Sequence, residues 1–228
     1  MGKRGPKPKK TINDKWTPKL AYAIGLLATD GCLSKDGFLI DLTSKDKEQL
    51  LNFSRCLEVN FFIGKKWNRN GDLCFRIQFK NKIFFNFLLS IKLTSKKSLT
   101  IGRILIPDRY FFDFLRGCFD GDGSFYSYWD LRWNSSHMFY LEFVSASKKH
   151  ILWLRKKLKS KLEVKGHITK NKERIFFQLR YAKKESLEII KKMYYNNLVI
   201  CLSRKQIKIK EALKIEAKQQ EKYNAQVV

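Results

Sequence analysis

Two aspartates are the residues of this sequence whose type and placement best suit metal chemistry. Asp122 lies in CFDGDGSF (residues 118–125), and Asp30 lies in the similar segment AIGLLATDGCLS (residues 23–34). A glycine follows each acid in a chain that is otherwise strongly basic. Two carboxylates brought together would form a site for a divalent cation, because hard cations prefer oxygen ligands. The matching positions indicate a shared role.

A calcium-binding loop that starts at Asp120 is the simplest alternative for the second segment. Such a loop needs a glycine at its sixth position and a carboxylate at its twelfth. The sequence has Phe125 and Leu131 at those places. The segment is therefore better explained by its match to the first one.

The charge of the chain favours a polyanionic partner. Its 228 residues include 47 Lys and Arg against 21 Asp and Glu, which gives a net charge of +26. Nucleic acid is the leading candidate. A membrane surface is disfavoured because the charge is spread along the whole chain, and no stretch approaches the ~20 apolar residues of a membrane helix. With 44% hydrophobic residues the chain has enough apolar material for a core.

Cysteine, histidine and the N-terminus exclude other classes. The five cysteines are scattered and include no Cys-x-x-Cys pair, so we predict neither a disulfide framework nor a zinc site. The three histidines lack His-x-x-x-His spacing, which disfavours a histidine-based nuclease. The basic N-terminus MGKRGPKPKK lacks the apolar core of a secretory signal, so we expect an intracellular protein, in the cytoplasm or nucleoid or in an organelle.

Similarity between the two halves of the chain continues beyond the acids. DLTSKDKEQLLNF (41–53) aligns with EFVSASKKHILWL (142–154), each a strand, a Ser or Asp cap and an amphipathic helix. Downstream, FRIQF (75–79) corresponds to FFQLR (176–180). We predict an α+β protein made of two copies of helix, hairpin, helix, hairpin, helix, packed into one pseudo-symmetric body.

The predicted boundaries follow from this repeat. A basic arm covers residues 1–16, the first repeat 17–107, the second repeat 108–215 and a C-terminal tail 216–228, with Pro107 at the joint. The arm is either solvated or lies along DNA phosphates or in a minor groove. Hairpin turns are predicted at KDG (35–37), NRNG (68–71) and KNKE (170–173).

The first acidic segment is predicted to be the end of a helix. Thr17 followed by Pro18 is typical of a helix start, and Gly31 is expected to end the helix in a left-handed turn. Small residues, Gly25 and Gly117 among them, would let the helices of the two repeats pack closely. In a parallel pair, both acids would meet at the C-terminal helix ends, among free carbonyl oxygens.

At these residues the sequence resembles the LAGLIDADG homing endonucleases in their single-chain form with two motif copies. AIGLLATDG (23–31) and LRGCFDGDG (115–123) match the motif. The resemblance implies two αββαββα repeats, motif helices paired at the centre and antiparallel sheets that form a DNA-binding saddle. It also implies a monomeric, metal-dependent DNA endonuclease, active in intron mobility, that hydrolyses one phosphodiester on each strand of a long double-stranded target.

The resemblance also assigns a site. The last acid of each motif, Asp30 and Asp122, would bind catalytic Mg²⁺, for which Mn²⁺ or Ca²⁺ could substitute in binding. The backbone carbonyls of Thr29 and Gly121 would join the metal site. The first motif has Ala28 where the second has Asp120, which makes Asp120 a structural cap at the helix end. Near each scissile phosphate a basic residue is expected, and the repeat alignment gives Lys97 and Lys205 this place.

Target reading is expected from the solvent faces of the strands. A ribbon of ~9 residues spans about 30 Å, or roughly nine base pairs per half. The candidate DNA contacts are Lys65, Trp67, Arg69, Arg76, Gln78, Tyr126, Tyr128, Arg132, Lys165, His167, Lys170, Arg174, Gln178 and Arg180. The main alternative is a binding protein of the same fold, either an RNA maturase that assists intron splicing or a DNA-binding protein without cleavage. A structural ribosome-associated protein is weaker, because it predicts no matched acids.

Overall fold

The computed structural model describes residues 11–35, 38–68, 70–171 and 176–226. These form two units of the same construction, each with a four-stranded antiparallel sheet and helices packed on one face. The predicted α+β class with two repeats is confirmed. Within the described part of the chain, no helix is both long and apolar enough to cross a membrane.

The first repeat has the sheet order β1-β2-β4-β3. Its elements are α1 (Pro18–Thr29), β1 (Gly31–Leu33), β2 (Leu39–Ser44), α2 (Lys47–Leu57), β3 (Gly64–Trp67), β4 (Leu73–Lys80), α3 (Lys82–Ser90) and the short α4 (Lys97–Thr100).

The second repeat follows a single 3₁₀ turn at Asp108–Tyr110 and has the equivalent order β5-β6-β8-β7. Its elements are α5 (Phe111–Asp122), β5 (Ser124–Asp130), β6 (Trp133–Ser145), α6 (Lys148–Leu162), β7 (His167–Lys170), β8 (Phe177–Ala182), α7 (Lys183–Met193) and α8 (Ser203–Gln226).

Helix α1 begins as predicted and ends differently. The Thr17 hydroxyl accepts a 3.0 Å hydrogen bond from the backbone N–H of Leu20, with Pro18 at the first helical position. Gly31 does not have a positive φ; it is the first residue of β1. A Cβ there would lie 2.7 Å from the Cα of Leu27. Glycine is therefore needed because the chain, as it leaves α1, packs closely against the last turn of that helix. The predicted left-handed turn at Gly31 is wrong.

Helices α1 and α5 pack in parallel at the centre, as predicted. A Cβ on Gly117 would lie 3.0 Å from the Cα of Gly25, and one on Gly121 would meet the side chain of Thr29. Contacts advance along both helices in the same direction, which defines the parallel arrangement. One continuous hydrophobic core then joins the two repeats around this pair.

The strand registers correct part of the repeat alignment. Asp41 lies opposite Gln78, and Glu142 lies opposite Arg180. Because Asp41 and Glu142 are equivalent, Gln78 corresponds to Arg180, one position away from the alignment of FRIQF with FFQLR. A slip of one residue exchanges the two faces of a strand. The registers therefore decide which side chains lie on each open sheet face.

Both ends of the described chain pack against the repeats. Ile12 is buried and Trp16 packs edge-on against Phe87, with ring centroids 5.7 Å apart, so residues 11–16 pack on the first repeat. Helix α8 continues without a break past residue 215, and Glu216 forms an ion pair with Lys183.

Of the three predicted turns, the one at residues 68–71 is described in most detail. The N–H of Gly71 donates to the carbonyl of Asn68 at 3.1 Å, and Gly71 has a φ of 79°. Arg69 lies outside the described residues, as do residues 36–37 and 172–173 of the other two turns.

The predicted caps of α2 and α6 have the right position and different partners. Asp46 and Ser147 are the N-cap residues, but neither side chain bonds to its own helix. Asp46 instead pairs with Arg204 of α8, and the Ser147 hydroxyl donates to the carbonyl of Ile101. These side chains connect the two repeats.

Candidate functional site

The parallel helix pair brings Asp30 and Asp122 to the same end of the molecule. Asp30 is the C-cap of α1, and Asp122 is the last residue of α5. The Asp30 Oδ2 atom would lie only 3.1 Å from a Cβ on Gly121, the neighbour of Asp122. Both acids therefore lie where the helix dipoles place partial negative charge.

The negative charges of the Asp30 and Asp122 carboxylates are only partly compensated by nearby positive charges. Burial raises the pKa of Asp30 to about 6, and the negative charge of Asp122 adds to this rise. Burial also raises the pKa of Asp122, although Lys97 and Lys205 oppose the change. A paired, partly desolvated set of carboxylates of this kind binds a cation readily, because the cation removes the repulsion.

Gln49 of α2 holds the Asp30 side chain. Its Nε2 donates a 2.6 Å hydrogen bond to Asp30 Oδ2, and its Oε1 accepts from the Ser44 hydroxyl at 3.1 Å. The repeat alignment places His150 at the position of Gln49. His150 is buried, its Nδ1–H donates to the carbonyl of Gly102 at 2.8 Å, and burial lowers its pKa to about 4. Neither residue was predicted to belong to the site.

Lys97 is buried at the end of α1. Its ammonium donates to the carbonyl oxygens of Ala28 at 2.9 Å and Thr29 at 2.7 Å. Burial lowers its pKa, while Asp122 and Asp30 oppose the change. Lys97 thus fixes the last turn of α1 directly beside the acids.

Lys205 has the equivalent place at the end of α5 and makes more contacts. Burial lowers its pKa to about 8, with Asp120 opposing the change. Its ammonium donates to four carbonyl oxygens, those of Phe119 (2.5 Å), Asp120 (2.9 Å), Gly121 (3.4 Å) and Gly123 (2.7 Å). The carbonyls of Thr29 and Gly121, predicted to join the metal site, therefore already accept hydrogen bonds from the two lysines.

Asp120 does not cap its own helix. Its Oδ2 accepts from the Tyr22 hydroxyl at 2.7 Å and from the backbone N–H of Leu202 at 2.8 Å. Burial raises its pKa to about 6, and Oδ1 has no hydrogen-bond partner among the described residues. Asp120 links α1, α5 and the start of α8. It therefore has a structural role through these contacts between elements and not as a cap of its own helix.

The donor set fits a hard divalent cation. Among the described residues there is no group of three or more His, Cys, Asp or Glu side chains that could enclose a metal. The available donors are the two carboxylates, whose pKa values are raised, while the carbonyl oxygens of Thr29 and Gly121 beside them accept hydrogen bonds from Lys97 and Lys205. Mg²⁺ is commonly held by one or two carboxylates and completes its coordination with water and substrate phosphates. The residues therefore fit Mg²⁺ together with a phosphate-containing substrate.

The open face of each sheet carries many of the predicted DNA contacts. Residues directly opposite in an antiparallel pair share a face. In the first sheet this face has Arg76 opposite Thr43 and Gln78 opposite Asp41. In the second sheet the open face carries Tyr126, Tyr128, Gln178, Arg180 and, opposite Arg180, His167.

Three predicted contacts lie on the other face. Lys65 and Trp67 pair with Phe75 and Leu73, and Lys170 pairs with Phe177. Phe75 and Phe177 pack on the hydrophobic core, which is the side covered by helices. These three residues, although exposed, do not share the open face of the arginines.

Arg132 and Lys165 lie outside the strands. Arg132 follows β5 in the turn to β6 and pairs with Asp130 at 3.2 Å, and Lys165 is exposed just before β7. Arg69 and Arg174 lie outside the described residues.

Two acids on the open faces were not predicted from the sequence. Asp41 pairs with Arg76 and Glu142 pairs with Arg180. The signal was in the repeat alignment, which equates Asp41 with Glu142. Matched acids on strands of a strongly basic chain could have been recognised as a second repeated feature.

Comparison with solved structures supports the fold. The homing endonuclease I-WcaI bound to its DNA recognition sequence is 17% identical, has a TM-score of 0.59 and covers 85% of this chain and 88% of its own. Meganuclease I-SmaMI bound to uncleavable DNA is 15% identical, with a TM-score of 0.60 over 86% of this chain and 91% of its own.

A third similar structure is described differently. The N-terminal LAGLIDADG domain of DUF199/WhiA is 16% identical, with a TM-score of 0.54 over 84% of this chain and 93% of its own. No protein-family model and no curated protein matches the sequence. The chain therefore has the LAGLIDADG fold in its single-chain, two-repeat form. This fold occurs in proteins named as endonucleases and in one that is not so named.

Proposed function

We propose that this protein is a site-specific, metal-dependent homing endonuclease that cuts both strands of a long double-stranded DNA target and acts in intron mobility. The observation that carries the proposal is the meeting of Asp30 and Asp122 at one end of the central helix pair, with a buried lysine beside each. A pure binding surface has no need for two desolvated carboxylates, since they repel DNA phosphates.

In this mechanism Asp30 and Asp122 hold Mg²⁺, with Mn²⁺ as a substitute and Ca²⁺ supporting binding. When bound, the metal would supply Lewis-acid chemistry, activating a water molecule and neutralising charge at the scissile phosphate during in-line displacement. One carboxylate comes from each repeat, which suits hydrolysis of one phosphodiester on each strand. Gln49 keeps the Asp30 carboxylate in a fixed orientation.

The two lysines contribute differently. Lys97 uses two hydrogen bonds to carbonyls, so one of the three N–H groups of its ammonium remains to donate to a phosphate oxygen or a water. Lys205 faces four carbonyl oxygens with three N–H groups and acts as a fixed positive charge. Both charges stabilise the additional negative charge of the transition state.

Binding of a long target is supported by the charge and by the sheet faces. The two open faces present arginine, glutamine and tyrosine side chains, which donate to base edges and phosphates. The net charge of +26 favours strong, salt-dependent association with DNA. The protein is proposed to act as a monomer, because one chain supplies both repeats.

The proposal is tested with a plasmid that carries the intron-lacking locus and with a plasmid library of randomised inserts. The full chain is incubated with each in Mg²⁺, in Ca²⁺ and in EDTA. We expect linear plasmid in Mg²⁺ only, and DNA binding without cutting in Ca²⁺. Tight binding with no cutting in Mg²⁺ or Mn²⁺ would contradict the nuclease and favour a DNA-binding protein. Preferential binding of intron RNA under the same conditions would favour the maturase.

A further inference from the structure

On each open sheet face a largely covered carboxylate is bonded to an arginine of the neighbouring strand. Asp41 accepts hydrogen bonds from Nε and Nη2 of Arg76, and Glu142 accepts from Nε of Arg180. The acids occupy equivalent positions of the two repeats, opposite Gln78 and Arg180. Arg76, however, corresponds to Gln178 and not to Arg180. The same ion pair is thus built in both repeats from different arginine positions.

The acids lie beneath the arginines. The side chain of Asp41 is 14% exposed and that of Glu142 is 6% exposed, against 34% for Arg76 and 39% for Arg180. A carboxylate this covered does not reach a ligand on the sheet surface, whereas the guanidinium groups do. The acids therefore orient the arginines and are not themselves surface contacts.

Two tyrosine rings also lie beside the guanidinium of Arg180. Its guanidinium lies 5.9 Å from the ring centroid of Tyr126 and 5.7 Å from that of Tyr140. Glu142 is fixed in turn by the Ser124 hydroxyl at 3.0 Å. Neither Nη group of Arg180 has a hydrogen bond to any residue that the structure describes, so both remain available as donors.

An acid on this face has a cost that calls for a function. A carboxylate facing DNA phosphates weakens binding to every sequence alike. A guanidinium fixed by a carboxylate, in contrast, loses less side-chain entropy when it bonds to a base, and its planar fork matches O6 and N7 of guanine. The two matched acids therefore increase selectivity for guanine and lower the affinity for DNA of any sequence.

We propose that Asp41 and Glu142 are positioning residues, and that the arginines they hold, Arg76 and Arg180, each read a guanine, one in each half-site. The positions lie near the centre of the target. In the strand register, Asp41 lies opposite Cys32 and Glu142 lies opposite Ser124. Cys32 is two residues after Asp30, and Ser124 is two residues after Asp122. Two extended residues span about 7 Å, or roughly two base pairs.

The inference rests on the proposed DNA-binding function, and its test separates the two. A randomised duplex pool is selected with the full chain in Ca²⁺, where no cutting is needed, and each position of the selected site is then varied. Failure of the wild-type chain to select any sequence would overturn the proposed function and the inference together. A selected site without a guanine in each half-site, near the centre of the target, would overturn the inference alone.

The variants test each residue. Arg76→Ala and Arg180→Ala should each lose a preference for guanine of about 10-fold or more at one position, one in each half-site. Arg180→Lys should keep affinity and lose the same preference, because an ammonium lacks the fork. Asp41→Asn and Glu142→Gln should bind as tightly as wild type or more so, while discrimination at the same position falls several-fold.

Glu58→Gln is the matched control, because it removes one exposed acid on the helix side and should leave the base preferences unchanged. Equal gains in affinity for all sequences in the Asp41 and Glu142 variants would mean a purely electrostatic effect and overturn the proposal. A switch of preference towards another base would mean that the acids contact bases directly, which also overturns it.

Discussion

Gly25 and Gly117 lie backbone to backbone where α1 crosses α5. A Cβ on Gly25 would overlap the carbonyl oxygen of Phe114 and lie 2.8 Å from the backbone nitrogen of Cys118. No side-chain rotation relieves such a contact, because both partners are backbone atoms of a buried helix. The separation of the two acids is set by this close approach.

Gly25→Ala should therefore destabilise the protein by about 3 kcal/mol, near the upper end for an overpacked core. Chemical denaturation followed by circular dichroism measures the change. Gly102→Ala is the matched control, since its Cβ would meet only the Cβ of Lys149 at 3.9 Å, and it should leave the unfolding free energy unchanged. Equal stability of the two variants would show that the helices do not pack this closely.

The pKa of Asp30 predicts how the metal-free protein responds to pH. Its pKa is about 6 in the folded state against 3.8 ordinarily, so the folded state binds more protons between these values. The unfolding free energy should then fall as pH rises from 4 to 6 and stay low above it. Two pKa units correspond to about 3 kcal/mol.

Asp30→Asn should remove this share of the pH dependence and stabilise the metal-free protein at pH 7, by about 2 kcal/mol once the loss of its attraction to the lysines is included. Denaturant midpoints across pH in EDTA measure it. Asp120, whose pKa is also about 6, keeps a second dependence in the variant. An unchanged pH profile in Asp30→Asn would mean that Asp30 is not desolvated.

Lys97 should matter for cutting more than for binding. Lys97→Met removes a buried charge beside the acids, and loss of one such stabilising group typically lowers rates about 10² to 10³-fold. Single-turnover cleavage and Ca²⁺-supported binding separate the two effects. Lys96→Met, a change at an exposed neighbour, is the control and should cut at nearly the wild-type rate. A similar loss in both variants would reduce Lys97 to a general contribution to net charge.

The β5–β6 ribbon predicts an asymmetric target. Strand β1 ends at Leu33, whereas β5 continues to Asp130, and β6 pairs with β8 only from Tyr140 onward. The outer ribbon thus extends beyond the four-stranded sheet and ends near the exposed Trp133. Four additional residues in β5 span about 13 Å, or roughly four base pairs.

Footprinting in Ca²⁺ should show protection that reaches about four base pairs further on the side of the second repeat. Replacing residues 129–137 by Asn-Gly joins Tyr128 to Met138, a directly opposed pair, through a two-residue turn. The shortened protein should lose protection in that half only. Symmetric protection by the intact chain would contradict the extended role of the ribbon.

Much of the fold was predictable because the chain repeats itself. Thr17 and Pro18 start α1 as expected, and the small residues Gly25 and Gly117 correctly indicate a close helix pair. The matched acids indicated where the pair ends. These features depend on local spacing, which sequence carries directly.

Other features depend on contacts between distant residues. The Asp120 carboxylate bonds to Tyr22 and Leu202, which local sequence does not reveal. The face of Lys65 follows from its register with Phe75, and an error of one residue reverses it. The hold of Gln49 on Asp30 likewise requires the packing of α2 against α1.

The most direct test of the proposed active site compares wild type, Asp30→Asn and Asp122→Asn on one selected duplex in Mg²⁺. Both strands should be cut by the wild-type chain, whereas each variant should bind the duplex in Ca²⁺ as tightly as wild type and yield no double-strand product in Mg²⁺. Full double-strand cleavage by either variant would contradict the assignment of the two acids as the centre of the active site.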